Sequence, residues 1–220
     1  MKLRITDYEL RILWIFLLFT CHLSLVTVLH AATLDDVVND LRTRLSGIQS
    51  VKGTFSQTSY LKDLEREEKY SGAFFIKKPS QLMWEYKTPR DEKVIINGTE
   101  TWVYKKSEKQ AIKTGFSKEA YSQVPIALLN SLENIRTDFD IALAEKDVLR
   151  LRPKHRLGFI QEIILKAGAK GFPVKTLKVF DMYGNIITIE LAGVEVNPKL
   201  DDALFQFAPP PGVEVFDMNR

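Results

Sequence analysis

The stretch that decides the fold reads Phe75-Ile76-Lys77-Lys78-Pro79-Ser80-Gln81-Leu82-Met83-Trp84-Glu85-Tyr86. An amphipathic strand ends here in a basic turn, and a second strand begins after the proline. Because side chains two residues apart in a strand point to the same side, Leu82, Trp84 and Tyr86 share one face of the sheet. The stretch therefore predicts a β-sheet that carries large apolar groups on one face.

Short β-like segments surround this stretch at regular spacing along the rest of the chain. Asn97-Gly98 is a strong hairpin signal, because both residues tolerate the positive φ angles of a tight turn. Gly168-Ala169-Lys170-Gly171 and Tyr183-Gly184-Asn185 predict two further turns. The result is about ten short strands with two or three helices, a spacing that favours an antiparallel sheet curled into a sandwich or barrel.

Two segments have helical rather than strand-like periodicity. Apolar residues recur at helical spacing from Thr33 to Ile48, and Thr33 with Asp36 has the pattern of a capping box. Pro125–Leu132 has the pattern of a second, shorter helix. On a half-open sheet these helices would act as a lid.

Residues 1–31 have the organisation of a secretory signal peptide. A basic start is followed by an apolar run from Ile12 to Leu29 and by His30-Ala31-Ala32, where cleavage is expected. The remaining chain, 32–220, has no low-complexity linker or internal repeat, so we expect a single domain. A retained membrane anchor is the alternative to cleavage, and lipidation at Cys21 is the alternative to processing at this site.

Composition argues against several classes of function. The net charge of +3 is small and dispersed, unlike the basic stripe of a nucleic-acid-binding protein. Cys21 is the only cysteine and lies in the signal, and His155 is the only histidine after residue 31. Metal sites of the His/Cys type and thiol nucleophiles are therefore excluded from the exported chain. We expect neither an enzyme nor a bound cofactor or metal.

Large apolar and aromatic residues are concentrated in the strands of the N-terminal half, and two interpretations of them stay open. In the first, they fill an ordinary β-barrel core. In the second, they line a concave surface too large for the protein's own side chains to fill, so that an apolar ligand binds there. Periodicity does not separate the two, because both put the same residues on the same face.

Four segments follow one another in a characteristic order along the chain. They are Gly53-Thr54-Phe55-Ser56-Gln57; the Lys77-Lys78-Pro79 turn before Trp84-Glu85-Tyr86; Asn97-Gly98 before Trp102-Val103-Tyr104; and a C-terminal set of Val194-Glu195-Val196-Asn197-Pro198, Asp201, Phe205-Gln206-Phe207 and Pro210-Pro211-Gly212-Val213. Together these segments resemble the LolA family of periplasmic outer-membrane lipoprotein carriers. The resemblance covers nearly all of residues 32–220.

The resemblance implies a mainly β (α+β) fold. It is an unclosed antiparallel β-barrel of about ten to eleven strands, with two to three helices plugging the concave face. The resemblance also implies a monomeric periplasmic carrier that accepts triacylated lipoproteins from an ATP-driven exporter in the inner membrane. The carrier passes them to a lipoprotein acceptor in the outer membrane, without nucleic acid or cofactor.

On this resemblance we expect six side chains to line the surface that binds acyl chains: Phe74, Ile76, Leu82, Trp84, Ile96 and Trp102. Lys78 occupies the position where well-studied family members have an arginine that hydrogen-bonds the lid, so we place it near the lid or the exporter. Arginine offers a rigid fork of donors, whereas lysine offers one flexible ammonium group.

Other functions fit the same fold. A membrane-anchored lipoprotein acceptor, tethered through Cys21 or an uncleaved helix, is one alternative. A general lipid-binding or sensor domain is another. An exported hydrolase would require a nucleophile arranged with a base, and no motif of the sequence indicates such an arrangement.

Overall fold

The structure is a computed structural model that describes residues 33–116 and 135–219. They lie in one compact unit, Thr33–Arg220. The expected export signal, with Cys21, and the expected helix at Pro125–Leu132 lie outside the described residues. In the part of the chain that is described, no helix has the length and apolar character needed to cross a bilayer.

Two α-helices and twelve strands form the described part of the chain. The helices are α1 (Leu34–Ser46) and the single turn α2 (Ile135–Asp138). The strands are β1 (Ser50–Leu61), β2 (Arg66–Lys77), β3 (Gln81–Thr88), β4 (Glu92–Asn97), β5 (Glu100–Lys105), β6 (Gln110–Gly115), β7 (Phe139–Glu145), β8 (Val148–Pro153), β9 (Ile160–Ala167), β10 (Val174–Asp181), β11 (Ile186–Val196) and β12 (Glu214–Asp217). Short 3₁₀ turns occur at Lys62–Leu64 and Asp202–Phe205.

All twelve strands belong to one sheet, in the order β12-β6-β5-β4-β3-β2-β1-β11-β10-β9-β8-β7. Neighbours run antiparallel except β12, which pairs parallel to β6. β12 and β7 are the outermost strands, so the sheet is unclosed and the predicted fold class is confirmed. The strand count exceeds the expected ten to eleven because the Pro-rich tail adds β12, whose partner lies far earlier in the chain, where no local pattern points to it.

The turn between β4 and β5 confirms the hairpin predicted at Asn97-Gly98. Gly98 has a φ of 97°, a region that residues with a Cβ rarely adopt. A Cβ added there would also lie 2.6 Å from Ser80 Oγ, so packing and backbone conformation both favour glycine. Asn97 Oδ1 accepts hydrogen bonds from the backbone N–H groups of Thr99 and Glu100.

Helix α1 begins with the predicted capping box. Thr33 Oγ1 accepts from the Asp36 backbone N–H at 3.2 Å, and Asp36 Oδ2 accepts from the Thr33 backbone N–H at 2.9 Å. The apolar stripe of α1 packs against one side of the sheet, which we call the helix-covered face; the buried stripe residues are Val37, Val38, Leu41 and Leu45.

One continuous core joins α1 to both halves of the sheet. It contains Ile96 from β4 and Leu149 from β8, which are separated by seven strand spacings. On a flat sheet that separation would be about 34 Å, whereas a helix with its side chains is only about 10–12 Å across. The sheet therefore curls around α1.

The other side of the sheet, which we call the opposite face, has a smaller core of its own. C-terminal residues cover it over β3 to β6, with Phe205 fully buried at the centre. The sheet residues of this second core are Met83, Ile95, Trp102 and Ala111. The surface beneath α1 and the surface beneath the C-terminal segment thus belong to different faces.

Candidate functional site

Five of the six predicted cargo residues meet on the helix-covered face. Strand pairing places Ile76 beside Leu82 and Leu82 beside Ile96. In the next row it places Phe74 beside Trp84. All five are buried in the core that contains α1, so the structure brings them together as one apolar surface beneath the helix.

Trp102 does not join this surface, contrary to the expectation from the sequence. It pairs with Ile95, one residue away from the register position of Ile96, and therefore points to the opposite face. There its ring lies 5.3 Å from that of Phe207, and its indole N–H donates to Glu100 Oε2 at 3.2 Å. Because side chains alternate between the two faces along a strand, an error of one residue in the predicted register assigns a side chain to the wrong face.

Trp84 is the centre of an aromatic group on the helix-covered face. Its ring stacks on Phe55 at a centroid distance of 3.8 Å and lies 5.7 Å from the ring of Phe74. Gly72 makes room for this group, since a Cβ there would overlap the Glu85 carbonyl oxygen and press on the Phe55 ring. The core is therefore aromatic and closely packed at this point.

The helix-covered face changes character along β1, from apolar to polar. After Phe55, the inward residues are Gln57 and Ser59, which are only 5% and 7% exposed. Gln57 Nε2 donates to Ser59 Oγ at 3.0 Å, and the Tyr86 hydroxyl donates to Gln57 Oε1 at 3.2 Å. Burial raises the pKa of Tyr86, so this hydroxyl stays protonated and remains a donor.

A cation–π cluster closes the polar end of the face. The Arg90 guanidinium lies 4.3 Å from the ring centroid of Tyr70 and 4.7 Å from that of Tyr86. Glu92 pairs with Arg90 at 3.7 Å. The hydrogen bond from the Tyr70 hydroxyl lowers the pKa of Glu68, which keeps a second carboxylate ionised here.

Lys78 contacts the end of helix α1. It follows β2, and its Nζ donates to the Leu45 carbonyl oxygen in the last turn of α1 at 2.9 Å. A positive charge at a helix C-terminus also interacts favourably with the helix dipole. The structure thus joins the basic turn at Lys78 to the end of α1.

Two further side chains hold the same end of α1. Arg44 Nη1 donates to the Gly168 carbonyl oxygen at 2.7 Å, and its Nη2 donates to that of Gly171 at 3.0 Å. Asn197 Oδ1 accepts from the Gln49 backbone N–H at 2.7 Å, while its Nδ2 donates to the Gly47 carbonyl oxygen at 3.0 Å. The C-terminal end of α1 is therefore fastened to the sheet by hydrogen bonds in addition to apolar packing.

The chemistry available here is that of apolar binding. In residues 33–116 and 135–219, no group of three or more His, Cys, Asp or Glu side chains is arranged to hold a metal ion. The arrangement combines an apolar surface of large area with a helix that covers it and a short polar row at one end.

Comparison with known families agrees with this arrangement. The family described as outer membrane lipoprotein carrier protein LolA matches residues 46–208. The chain belongs to the LolA family. This membership confirms the resemblance drawn from the four sequence segments.

Members of the LolA family from several bacteria match most of the chain. An outer-membrane lipoprotein carrier protein from Legionella pneumophila (strain Corby) is 28% identical over 178 residues, covering 80% of this chain and 87% of the relative. The protein of the same name from Neisseria gonorrhoeae is 27% identical, covering 86% and 91%. That from Nitrosospira multiformis is 26% identical, covering 91% and 96%.

Solved structures also match most of the chain, at low sequence identity. An uncharacterized conserved protein from Thermus thermophilus superposes with a TM-score of 0.50 at 13% identity, over 83% of this chain and 98% of that protein. A LolA superfamily protein from Nitrosomonas europaea has a TM-score of 0.45 at 15% identity, over 80% and 99%.

Sequence reasoning missed the two residues that join Lys78 in fastening α1 of this LolA-family chain. Arg44 lies on the polar side of an amphipathic helix, where an arginine is ordinary, and its partners are carbonyl groups more than a hundred residues away. Asn197 lies within one of the four segments that carried the resemblance, and its φ of 56° is a conformation that asparagine tolerates. An isolated Asn-Pro after a strand was the one local signal for it.

Proposed function

We propose that this chain is a periplasmic carrier that binds the acyl chains of lipoproteins and moves them from the inner to the outer membrane. The observation that carries the proposal is the convergence of predicted cargo residues under α1, on one face of an unclosed sheet; they are Phe74, Ile76, Leu82, Trp84 and Ile96. Membership of the LolA family and the names of its relatives support the same function.

The energetics of acyl chains explain why such a device is needed. A lipid chain gains about 0.8 kcal/mol for each CH₂ group removed from water. An acylated protein therefore leaves a bilayer only for another apolar surface. An empty carrier must also conceal that surface, because a large exposed apolar patch invites aggregation.

Helix α1 satisfies both requirements. Its apolar stripe and the five residues belong to one buried core, and displacement of the helix would open that core. Displacement breaks the contacts made by Lys78, Arg44 and Asn197, so the closed state opposes cargo binding by the free energy of those contacts. Moderated affinity allows the cargo to pass to a stronger acceptor without a further energy source.

The same proposal names the partners and the compartment. The cargo is a triacylated lipoprotein, the donor is an ATP-driven exporter in the inner membrane, and the final recipient is an acceptor in the outer membrane. The carrier works as a monomer in the periplasm after export by the signal of residues 1–31. It performs no catalysis, and its contribution is reversible shielding of acyl chains.

Capture of lipoproteins in cells tests the proposal. The full chain with a C-terminal tag is produced together with a test lipoprotein in two forms, one with the lipid-accepting cysteine and one with serine there. The periplasmic fraction is isolated without detergent, and the tagged protein is examined by native mass spectrometry. We expect a one-to-one complex with the triacylated form and no complex with the serine form, which is the matched control.

Two results would contradict the carrier function. Equal capture of both forms would show that the acyl chains are not recognised. A protein that carries phospholipid while ignoring the triacylated lipoprotein would instead favour the general lipid-binding alternative.

A further inference from the structure

The polar row on the helix-covered face is out of place in a surface built only for hydrocarbon. Gln57 and Ser59 are nearly as buried as the apolar residues beside them, and with Tyr86 they form a hydrogen-bonded chain. Burying hydroxyl and amide groups is favourable only when their hydrogen bonds are made. Leucine or phenylalanine would fill this space without that requirement.

A second observation on the same face of the sheet points to a missing partner. Within the described residues, two buried side-chain polar atoms have no hydrogen-bond partner, Trp84 Nε1 and Thr101 Oγ1. Both belong to the helix-covered face, since Thr101 pairs with Ile96. The Trp84 indole N–H lies near the Tyr86 hydroxyl. Burial raises the pKa of that hydroxyl and the indole opposes the rise, but the contact falls short of a hydrogen bond.

Strand register puts the unpartnered indole next to the polar row. Phe55 pairs with Gly72 and Gly72 with Tyr86, which places Tyr86 between the row of Trp84 and the row of Gln57. The donors available along this line are the indole N–H of Trp84, the second amide hydrogen of Gln57 and the Ser59 hydroxyl. A ligand with carbonyl oxygens could accept hydrogen bonds from this line of donors.

We propose that this row, Trp84, Gln57 and Ser59, binds the ester and amide linkages that join acyl chains to glycerol and to an acylated amine. The chains themselves then lie over the apolar rows of Phe74 and Ile76. The inference rests on the proposed function, because it describes how the same site would hold the polar root of a lipid. It adds a chemical requirement, acyl carbonyl groups, that hydrocarbon binding alone does not have.

Matched lipids with and without carbonyl groups test this requirement. One lipopeptide carries two acyl chains in ester linkage to its glyceryl group, and its partner carries alkyl chains of equal length in ether linkage. Affinities of the chain without residues 1–31 are measured by displacement of a fluorescent fatty acid. We expect the ester to bind about three- to tenfold more tightly than the ether, the range of one net hydrogen bond.

Variants assign the preference to the row. Trp84→Phe keeps an aromatic ring beside Phe55 but removes the N–H, and Gln57→Leu removes the amide. Each should lower the affinity for the ester more than the affinity for the ether, so that the ester-to-ether ratio falls toward one. Trp102→Phe, which removes the corresponding N–H from the opposite face, should leave the ratio as in the wild type. Thermal melting shows whether each variant is folded.

The outcomes separate the two proposals. An unchanged ratio in both folded variants, or a wild-type ratio of one, would overturn the linkage site and leave the carrier function intact. Failure of the wild-type chain to bind either lipopeptide would overturn both. The same pair prepared as phospholipids distinguishes the sources of the linkage: equal preference there supports a site for acylglyceryl esters in general, and preference for the lipopeptide alone supports a site shaped for acylated proteins.

Discussion

Replacing Arg44 with alanine should release the C-terminal end of α1 from the turn between β9 and β10. The side chain forms two hydrogen bonds to carbonyl groups, at 2.7 Å to Gly168 and at 3.0 Å to Gly171. It also pairs with Asp40 at 3.1 Å. The planar guanidinium reaches both carbonyl groups at once, a geometry that a lysine ammonium does not reproduce.

The expected loss of stability follows from these contacts. Hydrogen bonds to charged groups contribute about 1.5–3 kcal/mol each when well buried, but the Arg44 side chain is 23% exposed, which lowers the value. We take about 1 kcal/mol for each carbonyl contact and a few tenths for the exposed pair with Asp40. The total of about 2 kcal/mol corresponds to a fall of about 4–8 °C in Tm for a domain of this size.

The same variant should bind acyl ligands more tightly. If cargo displaces α1, the interactions lost in Arg44→Ala no longer oppose binding, and about 2 kcal/mol corresponds to a rise in affinity of up to about thirtyfold. Differential scanning calorimetry and displacement of a fluorescent fatty acid measure the two effects. Arg42→Ala, on the exposed side of the same helix, is the matched control and should change neither.

If α1 is a lid, the lower Tm and the tighter acyl binding must occur together. A lower Tm with unchanged or weaker ligand binding would refute the lid interpretation, because α1 would then be part of the binding surface or unrelated to it. An unchanged Tm would show that the two carbonyl contacts contribute nothing to the closed state.

Four further predictions concern the helix contact, the two cores and pH. Lys78→Met should lower stability by about 1 kcal/mol and raise the affinity for acyl ligands, while Lys78→Arg should change neither. Weaker binding by the methionine variant would contradict the role of Lys78 in holding α1 over the sheet. Asn197→Ala should lower the free energy of unfolding, measured in urea, by about 2–3 kcal/mol. Asn197→Gly should lower it less, because glycine tolerates the positive φ. Equal losses in the two variants would show that the positive φ of Asn197 does not contribute to the effect. Phe205→Ala should cost about 3–5 kcal/mol with acyl affinity unchanged, and an altered affinity would connect the opposite face to cargo. The hydrogen bond from Lys113 lowers the pKa of Glu100 below its ordinary 4.5. The pair therefore stabilises the fold above pH 4.5, and this stabilisation is lost as the pH falls through the lower pKa of the folded state. Glu100→Gln should flatten the decline of the urea midpoint below about pH 4.5, and an unchanged decline would exclude the pair as the cause of that decline.

Features set by neighbouring residues were predictable from the sequence. The capping box of Thr33 and Asp36 and the turn at Gly98 depend on interactions within a few residues, and both are present where expected. The alternation around Trp84 predicted correctly that Leu82 and Trp84 lie on one buried face.

Features set by distant pairing were not predictable in the same way. The face of Trp102 depends on its register with Ile95, and a shift of one residue along β5 reverses it. β12 forms only because β6 offers an edge, and the contacts of Arg44 depend on a turn in the second half of the sheet. Gln57 belongs to a segment of the family resemblance, but its burial depends on the sheet around it, which no local pattern shows.

Hydrogen exchange of α1 tests the central claim most directly. The exchange rates of the backbone amides from Leu41 to Leu45 are compared in the empty protein and in a one-to-one complex with a triacylated lipopeptide, with the amides of β10 as the internal reference. A helix displaced by cargo should exchange faster in the complex, while β10 stays protected. A complex in which α1 remains as protected as in the empty protein would contradict the account.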